Sequence, residues 1–469
     1  MTSAATKQSA LDAFADAAGT DNVRTDPADI ARTLRDNSWL SPILKEYVET
    51  RRGSDDGESM GVLAVVTPCD EDAVLGVIAA AVKHRIPIVP RGGGTSNFGQ
   101  TVPVEGGIIL DLRGLTGVTD VADGRITARA GTLQGGVDDA ARESGQELTI
   151  LTTTYATATI AGWIAGGHVG LGASQYGTIW DGNVLGARVA TAEPTPRIID
   201  LDESNVLPVL HTYGTTGVIL DVTMPLVPAE EWDEVVIDAP DLATAGALVR
   251  AIATENLPHR VATAQEPVLM DCFRPLRSLE LKGAGIMVMI ARRAAARLGE
   301  LCQLHQCTLH PWKQWGETDR PSIGVMVYGH RMLWLKKGYP NAGFLHVYFS
   351  PGEEDDQVIA LKERFGDAVL VEIKYINSAW LRGLCDLDGP GLLPASVLAV
   401  DPGTPELINE VMSFCQELNV NVQNPHTLKL EESGLFPDFE QILEFKREVD
   451  PYHLLNPGKI GNATLERQR

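Results

Sequence analysis

Apolar and polar positions follow two rhythms along this chain. From Asp70 to His84 the apolar residues Val74, Val77, Ile78, Ala81 and Val82 recur every three or four positions, which marks one face of a helix. Asp70 stands where an N-cap belongs, with Glu71 and Asp72 in the first turn. "IPIVP" then reads as a short buried strand ended by a glycine run, giving a helix, strand and glycine-loop unit of an α/β kind. "GGIILDL" and "GRITARAG" are strands expected to pair across a turn, and "TLQGGVDDAARESG" is a helix stopped by Gly145. "GNVLGARVAT" and "GVILDVTMPLVP" are further strands.

Near Pro225–Pro228 the pattern changes. "DLATAGALVRAIATENLP" has helical spacing, whereas "AGIMVMIARR", "SIGVMVYG" and "GFLHVYFSP" have strand character. The last part, "PDFEQILEFKREVDPYHLLNPGKIGN", predicts an amphipathic helix that stops before "DPYHLLNPGK". The pattern predicts an α+β protein of two domains: residues 1–228, a second domain over 229–425 with an antiparallel sheet and helices, and a segment 426–469 returning to the first.

Composition narrows the classes. The 469 residues are 44% hydrophobic and 22% charged, ordinary for a globular protein. A net charge of −23 argues against nucleic-acid binding and against anionic membrane surfaces. Six scattered cysteines form no disulfide framework, and the first twenty residues have no secretory pattern, so a cytoplasmic location is expected. No Asp, Glu, Lys or Arg occurs between Leu148 and Trp180. That stretch is long enough to span a bilayer, but its Thr, Gly, Ser, Gln and His content predicts no integral membrane segment.

Two segments carry candidate chemistry. In "PRGGGTSNFGQ" three consecutive glycines remove the Cβ atoms that keep a ligand off the backbone, and they permit N–H groups to converge on an anion. Thr95 and Ser96 add hydroxyls; a plain tight turn is the competing explanation. In "ATIAGWIAGGHVGLGASQYG" the glycines allow close backbone approach, and the lack of charge suits an apolar ring system. Together the two segments fit one extended cofactor with a pyrophosphate. No GxGxxG follows a strand and no GxxxxGK[ST] occurs, which disfavours a Rossmann domain or a P-loop NTPase.

In order along the chain, "IPIVPRGGGTSNFGQ", "ATIAGWIAGG…YG…DGNVLGARVAT", "YGTTGVI" and "DPYHLLNPGK" resemble the FAD-linked oxidoreductases of the vanillyl-alcohol-oxidase type. These have a PCMH-type FAD-binding domain of two small sheets with helices, and the nearest branch is that of the glycolate and D-2-hydroxy-acid dehydrogenases. The resemblance implies that Arg91, Gly92, Gly93, Gly94, Thr95, Ser96 and Gln100 hold the FAD pyrophosphate region. It implies that Thr159, Ile160, Gly162, Gly166, Gly167, His168 and Tyr176 run along the ribityl chain and flavin. Gly217 and Ile219 would lie by the adenine, and Asn456 and Lys459 would return to the flavin side, Lys459 as a cation near N1. With Thr95 and Ser96 in the first loop and no Cys between Cys69 and Cys272, the flavin is expected to be non-covalent.

The resemblance further implies hydride transfer from a hydroxyl-bearing carbon to FAD, with His346 or His426 as base and a 2-hydroxy acid as small-molecule substrate. The alternatives are a sugar-lactone or alditol oxidoreductase, or a non-catalytic flavin-binding subunit of a complex. The branch's His-rich metal motifs are reduced here to His346 in "NAGFLHVYFSP" and His426 in "VQNPHTLKLEESG", so no metal site is expected from them. Cys302, His305, Cys307 and His310 are zinc-ligand types, but their spacing matches no standard knuckle. They are read as scattered residues of the second domain, with structural zinc or pocket lining by one of the histidines left open. His330, in "VYGHRM", ranks behind His346 and His426 as a pocket residue. O2, a quinone or an electron-acceptor protein would reoxidise the flavin; a homodimer is left open.

Overall fold

The computed structural model describes residues 4–54, 60–461 and 464–465. Its first half holds two small sheets. The first has the strand order Val23–Arg24, Val62–Val66, Gly107–Asp111, Ile88–Arg91, the last three mutually parallel. Helix Glu71–His84 packs on it as the apolar spacing requires: Val74, Val77, Ile78, Ala81 and Val82 are all buried, and the Asp70 carboxylate accepts from the Ala73 N–H at 2.8 Å. Ile88–Arg91 therefore ends at a defined edge, and the glycine run leaves the sheet there.

The second sheet runs Val118–Ala122, Arg125–Arg129, Val218–Pro228, Gly186–Ala190, Ile198–Asp202, with Gln146–Leu148 pairing to the long Val218–Pro228 strand. One expected pairing is corrected here. Gly107–Asp111 does not pair with Arg125–Arg129; the two belong to different sheets. The hairpin partner of Arg125–Arg129 is Val118–Ala122, across Asp123-Gly124, a dipeptide suited to a tight hairpin turn. Residues of Val118–Ala122 are only partly buried or exposed, so the apolar pattern did not mark that strand.

Beyond Pro228 a nine-stranded antiparallel sheet takes over, in the order Thr308–Lys313, Trp232–Ala239, Ala284–Ala291, His259–Gln265, Glu372–Asn377, Leu392–Val400, Gly343–Tyr348, Asn421–Gln423, with Val369–Leu370 on the edge of Leu392–Val400. Successive residues of a strand face opposite sides. Leu345, Val347, Ile373, Leu398 and Val400 turn into the core shared with helices, such as Leu248 and Ile252 of Leu242–Thr254. His346, Tyr348, Lys374, Ile376, Ala395 and Val397 turn the other way, toward the two small sheets. "SIGVMVYG" is corrected: Ile323–Val325 is a 3-10 turn held by the Ser322 hydroxyl, and helix Gly329–Leu335 follows. Its apolar residues are buried by loop packing, a fate that periodicity cannot tell from a strand.

The halves are fastened by buried polar contacts. Arg260 of the nine-stranded sheet pairs with Glu147 at 3.2 Å, and the Ser378 hydroxyl donates to Asp181 at 2.6 Å. Past helix Glu440–Val449 the chain returns to the first sheet, where Ile88 N–H donates to Leu454 O and Asn456 N–H to Ile88 O, both at 2.8 Å. Among the described residues, no helix is long and apolar enough to cross a membrane.

Candidate functional site

The glycine run and the charge-free segment meet backbone to backbone. A Cβ on Gly93 would lie 2.0 Å from the Thr157 carbonyl oxygen, and one on Gly92 would lie 2.0 Å from the Thr159 hydroxyl. Thr159 in turn caps helix Ile160–Gly166 by accepting from the Gly162 N–H at 3.2 Å. Only glycine permits this approach, so the run has a steric purpose beyond a turn. Gly94 has φ of +66° and closes over the Arg91 guanidinium. That side chain donates to Arg35 O at 2.7 Å and to the Thr101 hydroxyl at 3.1 Å, and burial lowers its pKa. The Asp36 carboxylate accepts from Ser96 at 3.0 Å and from Thr101 at 3.2 Å, while Asn37 donates to Thr95 O at 3.2 Å. The first loop is thereby tied from behind, and its front faces a cavity.

That cavity, with the open solvent at its mouth included, spans about 1180 Å³. Its floor is Gly92, Gly93, Gly94, Thr95, Ser96, Thr159, Gly162, Gly166, Gly167 and His168. A second cavity, about 540 Å³ with its open mouth included, continues from it past Arg91, Gln100, Gly217 and Ile219. Gly92, Ser96, Thr159, Gly162 and Gly166 line both, so the two form one elongated trough.

Four residues expected at the cofactor do not line the trough. Ile160 is fully buried in the apolar core. Tyr176 is exposed and lines a surface groove with Trp180 and Trp380 instead of the trough. Asn456 lies behind the trough, where its amide nitrogen donates to Gln100 O at 2.8 Å and Tyr213 O at 2.7 Å, joining two lining segments. Lys459 is fully buried and contacts Gly99 O; among the described residues it has no ion-pair partner, and burial pulls its pKa down to about 7.

The roof comes from the nine-stranded sheet and the segment before helix Gly329–Leu335. His346 and Tyr348 line the first cavity, as do Lys374, Ile376, Tyr328 and His330. His346 packs edge-on to Phe98 at 5.6 Å and lies 6.1 Å from the His168 ring. Burial, with Lys374 second, pulls its pKa to about 3, so it is neutral at ordinary pH. Its Nε2 is buried without a hydrogen-bond partner among the described residues. Burial also holds His168 well below its usual range, helped by His211 at a ring distance of 5.1 Å.

His426 is a correction. Its Nδ1 takes the Ser41 hydroxyl at 2.6 Å and its Nε2 donates to Phe344 O at 2.8 Å. Both nitrogens are spent, and the ring does not line the trough. It buttresses Phe344, two residues before His346, and is not positioned as a base. Cys302, His305, Cys307 and His310 lie at the far edge of the large sheet and do not line the trough either. Among the described residues, no three His, Cys, Asp or Glu side chains are grouped to hold a metal ion.

The sequence reading missed Lys374, Tyr328 and Tyr348. A signal for the first existed: Glu372 and Lys374 are charged at alternate positions of the apolar strand "VEIKYIN", on the face opposite Ile373.

A trough with a backbone floor, no charged side chain on its second glycine segment and a separate roof of side chains suits an extended nucleotide with a planar ring. Residues 62–199 match the family model described as FAD binding domain, and the chain carries that domain. It is 26% identical over 223 residues to the glycolate oxidase subunit GlcD of Bacillus subtilis, covering 44% of this chain and 46% of that protein. It is 31% identical over 205 residues to a D-lactate dehydrogenase of Archaeoglobus fulgidus, covering 41% and 45%. The chain thus spans less than half the length of these curated relatives. Among solved structures, p-cresol methylhydroxylase shares the fold over 98% of both chains, with a TM-score of 0.67 at 15% identity. The cofactor is FAD.

Proposed function

We propose that the chain is an FAD-dependent oxidoreductase that draws hydride from a hydroxyl-bearing carbon, with a 2-hydroxy acid as the favoured substrate and the flavin held without a covalent bond. The observation that carries this is the continuity of the two cavities through a shared glycine-rich floor, beneath a separate roof of side chains. The residues fit FAD: Gly92, Gly93, Gly162 and Gly166 line the trough with no side chain between the backbone and its space, and the buried Lys459 forms no ion pair among the described residues.

In this proposal Gly92–Ser96 would hold the pyrophosphate through peptide N–H groups, and Gly217 and Ile219 would border the adenine half. Gly162–His168 would lie along the ribityl and ring portion. Bound FAD supplies a two-electron acceptor. The protein's part is to place the carbon, exclude water and take a proton. Two roof histidines, His330 and His346, have a buried ring nitrogen without a partner among the described residues; His346, on the sheet beside Phe98 and His168, is the one taken to accept the substrate hydroxyl proton, and a positioned base contributes about 10²–10⁴-fold. Lys459, behind the floor on Gly99 O, would add positive charge toward the ring in its protonated form, which burial restricts by pulling its pKa to about 7.

The test is anaerobic mixing of the FAD-loaded protein with 2-hydroxy acids, sugar lactones and polyols while the yellow flavin band is followed. Bleaching by a hydroxy acid supports the proposal. A stable yellow colour with every class contradicts turnover and leaves a flavin-binding subunit.

A further inference from the structure

The roof holds one more cation than carboxylates. Arg331, Glu372 and Lys374 are all buried and grouped around Glu372. Glu372 is saturated: one oxygen meets Lys374 Nζ and accepts from Val397 N–H at 3.2 Å, and the other accepts from Gln265 at 2.9 Å and lies 3.5 Å from Arg331 Nε. Burial would raise its pKa, but Arg331 and Lys374 hold it down, at about 2. Arg331 spends its terminal nitrogens on Val397 O and on Gln265 at 3.3 Å, and it does not line the cavity.

Lys374 does line the cavity, and its ammonium carries three donors with one spent on Glu372. The other ionisable side chains lining the cavity are His168, His330 and His346, whose pKa values burial lowers, and Tyr328 and Tyr348, whose pKa values burial raises, so none of them brings a negative charge. Glu266, a further carboxylate acting on Arg331, is taken by Lys362 at 3.0 Å and by Val371 N–H at 2.7 Å. A buried positive excess that faces a cavity is costly until an anion joins it.

Tyr328 supplies a second donor. It is buried, lines the same cavity, and its ring centre lies 5.0 Å from Lys374 Nζ. Among the described residues its hydroxyl has no hydrogen-bond partner, and burial keeps it protonated. Its backbone, φ +50° and ψ −131°, lies in a region that favours glycine. The chain holds a tyrosine there although Gly329 follows, which is strain stored at the cavity wall.

We infer that Lys374 and Tyr328 form a two-donor anchor for a substrate carboxylate, so that a negative charge is a requirement for binding. This rests on the oxidoreductase proposal above. It removes neutral lactones and polyols from the substrate range and assigns Glu372 and Arg331 as the residues that fix the Lys374 ammonium in place.

The experiment titrates the FAD-loaded protein with oxalate, a redox-inert dicarboxylate, and follows the flavin absorption band. Oxalate is expected to perturb the band and to compete with the substrate. Lys374→Met should weaken oxalate by roughly 100-fold and Tyr328→Phe by roughly 10-fold, with flavin content retained, since a charge-assisted hydrogen bond is worth more than a neutral one. Lys374→Arg should recover most of the affinity, and the losses should fall on KM more than on kcat. If Lys374→Met loses its flavin, Tyr328→Phe carries the test. Unchanged oxalate affinity in the variants, or reduction by a neutral lactone or polyol as fast as by any carboxylate, overturns the anchor while the oxidoreductase proposal stands. Absence of reduction by every class, with oxalate still bound through Lys374, overturns the oxidoreductase proposal and leaves the anchor.

Discussion

The floor and the roof of the trough are built from different materials. The floor is peptide backbone. Gly92 and Gly93 press against Thr157 and Thr159 so closely that a methyl group has no room. The roof is side chains, presented by alternate positions of strands Gly343–Tyr348, Glu372–Asn377 and Leu392–Val400. A backbone surface reads a ligand shared across many proteins, because its contacts do not depend on which side chains are present. A side-chain surface can change residue by residue, and under the proposed function it is where a substrate would be chosen.

Breaking the floor has the largest expected effect. Gly93→Ala puts a Cβ about 2.0 Å from the Thr157 carbonyl, a backbone atom that cannot rotate away. The protein should be purified nearly colourless and should not take up added FAD, as read by its absorption spectrum. Normal yellow colour in Gly93→Ala would show that the floor tolerates the shift and that steric fit does not explain the glycine.

Breaking the roof should leave the colour and remove the chemistry. His346→Asn keeps a polar group of smaller size and should slow flavin reduction about 10²–10⁴-fold with FAD content unchanged. His426→Ala sharpens the contrast. It removes two hydrogen bonds and opens space beneath Phe344, so it should cost about 2–3 kcal/mol of stability in chemical denaturation while the rate per bound flavin changes less than about threefold. Equal rate losses in the two variants would contradict the assignment of His346 alone.

The same contrast explains what was legible in the sequence. The helix from Glu71 to His84, the strand after it and the two glycine segments announce themselves locally, because capping, periodicity and missing Cβ atoms act over a few residues. His346, Lys374 and Tyr328 lie far apart in sequence and meet only when the nine-stranded sheet is assembled. Family resemblance pointed to both His346 and His426, yet a neighbour the sequence does not signal, Ser41, occupies the second ring. Tyr176 sits beside the glycine segment in sequence, but Gly177 turns the chain, with φ of +78°, and leaves the ring in a surface groove.

Acid should act on the buried histidines before it acts on the floor. Burial pulls His211 and His259 to about 4, and each is neutral when folded. Once unfolded they regain the ordinary range near 6.5, so between those values the unfolded chain binds more protons. Stability is therefore full above about pH 6.5 and declines as pH falls toward 4, by at most about 3 kcal/mol for each histidine. Denaturation midpoints across this window measure it. Over the same window His346 remains unprotonated, so the rate of flavin reduction should show no acid limb in the ordinary histidine range.

The smallest effect belongs to Tyr176→Phe. Its side chain faces the groove with Trp180 and Trp380, so FAD affinity and reduction rate should both stay within about twofold of the parent protein. A large loss of FAD affinity would return Tyr176 to the trough.

Two glycine segments form one continuous floor long enough for a dinucleotide. Titrating flavin-free protein with FAD and, separately, with FMN tests it most directly, by quenching of flavin fluorescence. FAD should bind stoichiometrically and FMN more weakly by at least about 100-fold, because FMN leaves the second cavity, at Gly217 and Ile219, unfilled. Equal affinity for the two, or no binding of either, would contradict it.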